Sequence, residues 1–205
     1  MSVRSVAVSP RRAIDVLGVT VGCAVVVWTG VLARRGVSRT EARIFSSTND
    51  LPDGAFRAIW LPMQFGSFWA VPTVAGLALV RRRPWLAVAL GAGGTTAWLA
   101  AKAVKPAVGR GRPPGLLPGV HRRGHEGGDL GFPSGHAAVS AAIATVAWPS
   151  ASRSTCAWSA ALGAFVPFAR MYVGVHLPFD VIGGSALGLA VGSAVNLARA
   201  APRPG

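Results

Sequence analysis

Six apolar runs take up most of this 205-residue chain, at residues 13–33, 59–80, 85–104, 135–151, 155–175 and 178–198. An α-helix needs about 20 apolar residues to cross roughly 30 Å of hydrocarbon. The expected fold is therefore all-α: a polytopic membrane helix bundle of about six transmembrane helices. The fourth run is short and the fifth contains Arg170, so these two depart most from an ideal span. Composition agrees, with 14% charged residues against about 25% in a soluble domain. The mean hydropathy is +0.45.

The net charge is +14, nearly all of it arginine. Most of the basic residues flank apolar runs, which favours interfacial anchoring and attraction to anionic headgroups over nucleic-acid binding. Cys23 and Cys156 fall inside apolar runs and read as small core residues without metal spacing. The first run follows Arg4, Arg11 and Arg12, as a signal peptide would, but exceeds the usual 7–15-residue apolar core of one. It is expected to be a retained membrane helix.

No internal repeat appears, and residues 1–205 are expected to form a single integral membrane domain. A polar linker at 35–58 carries the turn signals Asn49-Asp50 and Pro52-Asp53-Gly54. Its amphipathic part, near residues 37–45, is expected to lie on the membrane surface. The loop at 105–134 is rich in Gly, Pro and Arg, a length usually functional or disordered. In the last run Gly184, Gly188 and Gly192 share one helical face, which allows close helix approach. Trp60, Trp85 and Trp148 lie near run ends, where an indole anchors at headgroup level.

Three motifs bearing cations and histidines sit at the ends of these runs. Lys105 and Arg112-Pro113 are seven residues apart on a Pro- and Gly-punctuated segment. Both can reach one anion, Arg as a fork and Lys as a point charge. Pro133-Ser134-Gly135-His136 opens the fourth run. Ser134 suits an N-cap, the free N–H groups after it make an anion site, Gly135 permits close approach, and His136 falls in the first turn. Arg170, His176 and Asp180 form the third motif. Pro178 suits a first helical turn, from which Asp180 can accept the Nδ1–H of His176 and leave Nε2 free as a nucleophile. The competing reading of this last motif is a plain Arg170–Asp180 ion pair between two helices.

Two runs separate the 105–134 loop from the loop of His176, so both loops belong on one membrane face and the motifs can meet. The compact Arg81-Arg82-Arg83 turn favours cytoplasmic placement of its own loop. That puts both termini inside and the site on the extracytoplasmic face of the cell membrane.

Together the motifs resemble the signature of the type 2 phosphatidic acid phosphatase family, the lipid phosphate phosphatases. It reads Lys, six residues, Arg-Pro; then Pro-Ser-Gly-His; then Ser-Arg, five residues, His, three residues, Asp. Every spacing is matched, within residues 105–180, and the expected six-helix layout extends the likeness to most of the chain. One position departs: the Ser before Arg is Ala169 here. An alanine donates no side-chain hydrogen bond, so weaker phosphate or loop positioning is expected rather than loss of chemistry.

The resemblance implies a membrane phosphatase acting on a lipid phosphate or diphosphate, of the polyprenyl diphosphate, phosphatidic acid or phosphatidylglycerol phosphate type. It implies that His176 attacks phosphorus to form a phosphohistidine, that Asp180 orients it, and that His136 protonates the leaving oxygen and then activates water. Lys105, Arg112, Ser134, Gly135 and Arg170 would hold the phosphoryl oxygens. No metal and no cofactor are expected, because these cations already supply the charge. His121, His125, Glu126 and Asp129 are weighed as a divalent-ion site, but a substrate-facing polar loop fits them better. The rivals are a lipid phosphotransferase with the same site and a non-enzymatic phospholipid-binding or transport protein. The expected partners are the bilayer and a lipid phosphate, not nucleic acid. Oligomeric state is not legible.

Overall fold

The computed structural model describes residues 9–124 and 128–200. Its helices are α1 (Pro10–Arg34), α2 (Arg39–Asn49), α3 (Phe56–Met63), α4 (Ala70–Val80), α5 (Pro84–Val108), α6 (Gly135–Ala147), α7 (Arg153–Tyr172) and α8 (Pro178–Arg199). No strand occurs among the described residues, and the chain is an all-α membrane bundle. Side-chain oxygens of Ser9, Ser38, Ser134 and Ser152 accept a first-turn N–H at the starts of α1, α2, α6 and α7. Pro10, Pro84 and Pro178 occupy the first turns of α1, α5 and α8, where a missing N–H costs nothing.

α8 is the central element, packed chiefly against α1 and α6. The Gly184, Gly188 and Gly192 stripe lies on α6. A Cβ at Gly184 would meet the Ser134 carbonyl, one at Gly188 the Ala138 carbonyl, and one at Gly192 would fall 2.6 Å from Thr145 Cβ. On the other side, a Cβ at Gly22 of α1 would lie 2.7 Å from the Ala186 carbonyl oxygen. These contacts bring backbone against backbone, the geometry small residues permit where no hydrophobic force separates protein from lipid.

Among the described residues two helices, α1 and α8, are by themselves long and apolar enough to cross a bilayer. The expected second run is broken: its two halves, residues 53–66 and 70–80, bend by 69° and make a third span only if taken as one. Pro62 lies inside α3, and a Cβ at Gly66 would fall 2.5 Å from the His136 carbonyl oxygen. The break occurs where the chain passes against the start of α6. The expected run at 135–151 is the helix α6 followed by a 3-10 turn, Trp148–Ser150. Cys23 is exposed and Cys156 half-buried. The exposure of Cys23 follows from α1 presenting most of its apolar surface to the surroundings, and neither cysteine is a fully buried core residue.

The amphipathic linker segment is the helix α2, which buries Glu41, Phe45, Thr48 and Asn49 and packs on α7 and α8. Asn49 then clamps the long loop. Its Nδ2 donates to the carbonyls of His121 and Tyr172, both at 2.9 Å, and its Oδ1 accepts from the His121 N–H at 2.8 Å. Arg123 ties the same loop to the Tyr172 carbonyl at 2.6 Å and stacks over the Tyr172 ring. At the other end of the bundle, Arg11, Arg83 and Arg199 gather around residues 149–150.

Candidate active site

The three motifs converge at one end of the bundle. Lys105, in the last turn of α5, donates from Nζ to the carbonyls of Leu130 and Gly131 at 2.8 and 3.1 Å. Arg112 donates to the Gly128 carbonyl through Nε at 2.8 Å and to the Val175 carbonyl through Nη1 at 3.1 Å. The first motif is thereby joined to the residue beside His176. Ser134 is the N-cap of α6, with Oγ accepting from the Ala137 N–H at 3.5 Å. Gly135 and His136 follow as the first helical residues, with their backbone donors at the positive end of the helix dipole.

Arg170, in the last turn of α7, is 1% exposed, and its Nη1 lies 3.8 Å from Met63 Sδ. His176 is 2% exposed, in the connection between α7 and α8. The charges of Arg170, Arg112 and Lys105 all bear on its ring, and those of Arg170, His176 and Arg112 bear on the ring of His136. Burial, and then the Arg170, Arg112 and Lys105 cations, hold the His176 imidazole well below the ordinary histidine range, with the Gly131 backbone acting the other way. The ring is therefore kept neutral, the form a nucleophile needs.

Asp180 is completely buried, near the start of α8. Its Oδ2 accepts the Leu177 N–H at 2.8 Å and so caps the helix. The same oxygen is 3.6 Å from His176 Nδ1, beyond hydrogen-bond length. Catalytic contacts are often long in unliganded enzymes and tighten with substrate, so this distance does not remove the pairing. The ion pair that Asp180 makes is with Arg110, Nη1 to Oδ1 at 3.2 Å, in place of the Arg170 pair considered from sequence.

Arg110 and Glu41 were not singled out by sequence. Arg110 sits between Lys105 and Arg112 as one arginine among many, and Glu41 lies 69 residues from it. Its Nη2 reaches Glu41 Oε2 at 2.6 Å and its Nη1 reaches Oε1 at 2.9 Å. A low share of acidic residues was the available signal: each carboxylate near an apolar run needs a partner.

Ala169 is buried in an apolar cluster with Ile59, Met63, Tyr172, Val173 and Val175. Of the histidines and acids weighed as a metal site, His125 and Glu126 lie outside the described residues. Among the described residues no group of three or more His, Cys, Asp or Glu is placed to hold a metal ion. A cavity of about 390 Å³ lies beside Arg112 and Val175 and is also lined by Arg122 and Asp129.

Two solved structures share this fold. The crystal structure of Aquifex aeolicus LpxE is 21% identical, with a TM-score of 0.69, covering 76% of this chain and 93% of that one. That of a PAP2-type phosphatidylglycerolphosphate phosphatase from Bacillus subtilis is also 21% identical, with a TM-score of 0.70, covering 86% of this chain and 94% of that one. The curated proteins include no significant sequence match. The PAP2 superfamily model matches residues 67–203, which takes in all three motifs, and the chain is thus a membrane protein belonging to the PAP2 superfamily of phosphatases.

Proposed function

We propose that the chain is a single-domain membrane enzyme that hydrolyses a lipid phosphate or diphosphate through a phosphohistidine. The observation that carries this is a buried imidazole, His176, next to the Val175 carbonyl that Arg112 holds, with the charges of Arg170, Arg112 and Lys105 bearing on its ring. Such a cluster suits a phosphoryl group, whose transfer depends mainly on positioning and charge stabilisation. Nε2 of His176 attacks phosphorus. The P–O bond to the lipid breaks, and His136 gives its proton to the departing oxygen. His136 then takes a proton from water, whose oxygen displaces the imidazole and releases inorganic phosphate. Asp180 orients His176. Lys105, Arg112 and Arg170, with the Ser134–Gly135 turn, hold the phosphoryl oxygens, so the step asks for no metal.

The site is at an end of the bundle, where a lipid tail stays in the bilayer while its head reaches the cations. We place that end on the extracytoplasmic face of the cell membrane, opposite the Arg81-Arg82-Arg83 turn. A polyprenyl diphosphate is our first choice of substrate. Phosphatidic acid and phosphatidylglycerol phosphate complete the panel, the last suggested also by the name of the Bacillus neighbour. Purified enzyme in detergent should release phosphate from at least one of these, with or without a chelator, and His176→Ala should abolish it. Undiminished release by that variant would disprove the assignment. Phosphate appearing on an added alcohol instead of in solution would make the enzyme a transferase.

A further inference from the structure

We propose that Glu41 and Arg110 are positioning residues for this reaction, acting together to hold the Asp180 carboxylate behind His176. The inference rests on the hydrolysis proposed above.

Three charged side chains meet away from water: Arg110 is 2% exposed at its side chain, Glu41 1% and Asp180 0%. Burying such groups is costly before their attraction is counted, and apolar replacements often hold helices together as well or better. A stapling role alone explains the arrangement poorly. Its geometry is specific. Arg110 Nη1 is shared between Glu41 Oε1 at 2.9 Å and Asp180 Oδ1 at 3.2 Å, while Nη2 reaches Glu41 Oε2 at 2.6 Å. Both Glu41 oxygens hold the end of the fork, and Nη1 turns a further N–H to Asp180.

Glu41 also touches the helix that carries Asp180. Its Oε1 accepts the Phe179 N–H at 3.0 Å, a first-turn donor of α8. Glu41 stands three residues after the N-cap Ser38, where a glutamate ordinarily reaches back to close a capping box. Here both its oxygens are directed at Arg110 and Phe179. The triad carries one net negative charge, 3.6 Å from His176 Nδ1 at its Asp180 end, beside an imidazole that also feels the charges of Arg170, Arg112 and Lys105. It favours the positive charge that develops on that ring when it bonds to phosphorus. Glu41 lies outside the family match, which begins at residue 67, so α2 brings the site a carboxylate from beyond it.

A double-mutant cycle tests this in detergent with dioctanoyl phosphatidic acid, using Glu41→Gln, Asp180→Asn and the double variant. Glu41→Gln should lower kcat about tenfold or more with little change in KM, the mark of an interaction made in the transition state. Glu41→Asp, which keeps the charge, should stay more active. In the Asp180→Asn background Glu41→Gln should add less than about twofold, because both changes act through one carboxylate. Full kcat in Glu41→Gln, or an equal loss in both backgrounds, would overturn the proposal. Should Glu41→Gln fail to fold, Arg110→Lys replaces it in the same cycle with the same expected non-additivity. An inert wild type, or an active His176→Ala, counts against the hydrolysis instead. A working wild type, a dead His176→Ala and an unaffected Glu41→Gln sink the positioning role alone.

Discussion

The Ser134 N–H donates to the Asp180 carbonyl oxygen at 2.9 Å, joining the cap of α6 to the first turn of α8. The bond sets the phosphate-facing turn in register with the carboxylate proposed to back the nucleophile. It forms because Gly184, one turn further along α8, leaves room for the Ser134 backbone.

Gly184→Ala is therefore expected to force the two helix starts apart. Activity should fall at least tenfold and the thermal midpoint in detergent should drop, as for overpacked cores, which lose about 1–3 kcal/mol. Gly76→Ala and Gly91→Ala are the controls: a Cβ at either meets nothing within 4 Å. Both should be neutral or stabilising, since alanine exceeds glycine in a helix by about 1 kcal/mol. Equal losses at all three sites would show that close packing at Gly184 is not the cause.

The His176 ring should titrate below the ordinary histidine value, because it is buried and faced by cations. Ring nitrogen shifts in histidine-labelled protein would report this, and Arg170→Met should move the midpoint upward. The unfolded chain binds this proton more readily than the folded one. Stability owed to a neutral His176 is thus complete above about pH 6.5 and declines as pH falls through that value. A midpoint at or above the ordinary range in the free enzyme would contradict the packing described.

His136→Ala should distinguish substrates by leaving group. A general acid is worth roughly 10²–10⁴-fold when the departing oxygen is a poor leaving group, as in an alkyl lipid phosphate. With p-nitrophenyl phosphate, whose phenolate departs without help, the loss should be far smaller. Equal losses on both substrates would remove His136 from the acid role.

Asn49→Ala should loosen the long loop. The substitution leaves the His121 N–H and carbonyl without their side-chain partner, while the Tyr172 carbonyl keeps Arg123; a fully buried polar group left so costs about 1–3 kcal/mol, and these half-buried ones cost less. Amide exchange at residues 121–123 should accelerate well before the helices open. Unchanged protection there would mean that Arg123 alone holds the loop.

The apolar runs already specified an all-α membrane bundle, although among the described residues only α1 and α8 are by themselves long and apolar enough to cross a bilayer. The motif spacings pointed to one proposed site for Lys105, Arg112, Ser134, His136, Arg170, His176 and Asp180, and the expected parity of helix crossings would put their loops on one face. Caps such as Ser134 and first-turn prolines such as Pro178 were readable for the same reason: they act within a few residues of themselves. The break near Gly66 does not show in the apolar run, although Pro62 lies just before it; what the sequence could not show is that the His136 carbonyl of a distant helix occupies the space of a Gly66 Cβ. Nor was the partner of Asp180 readable. Local spacing offered Arg170, whereas folding delivered Arg110 with Glu41 behind it, 69 residues away from it in the chain. A buried carboxylate must find a cation, and sequence shows that need. Which cation arrives is decided by how helices pack, and only the tertiary structure contains that choice.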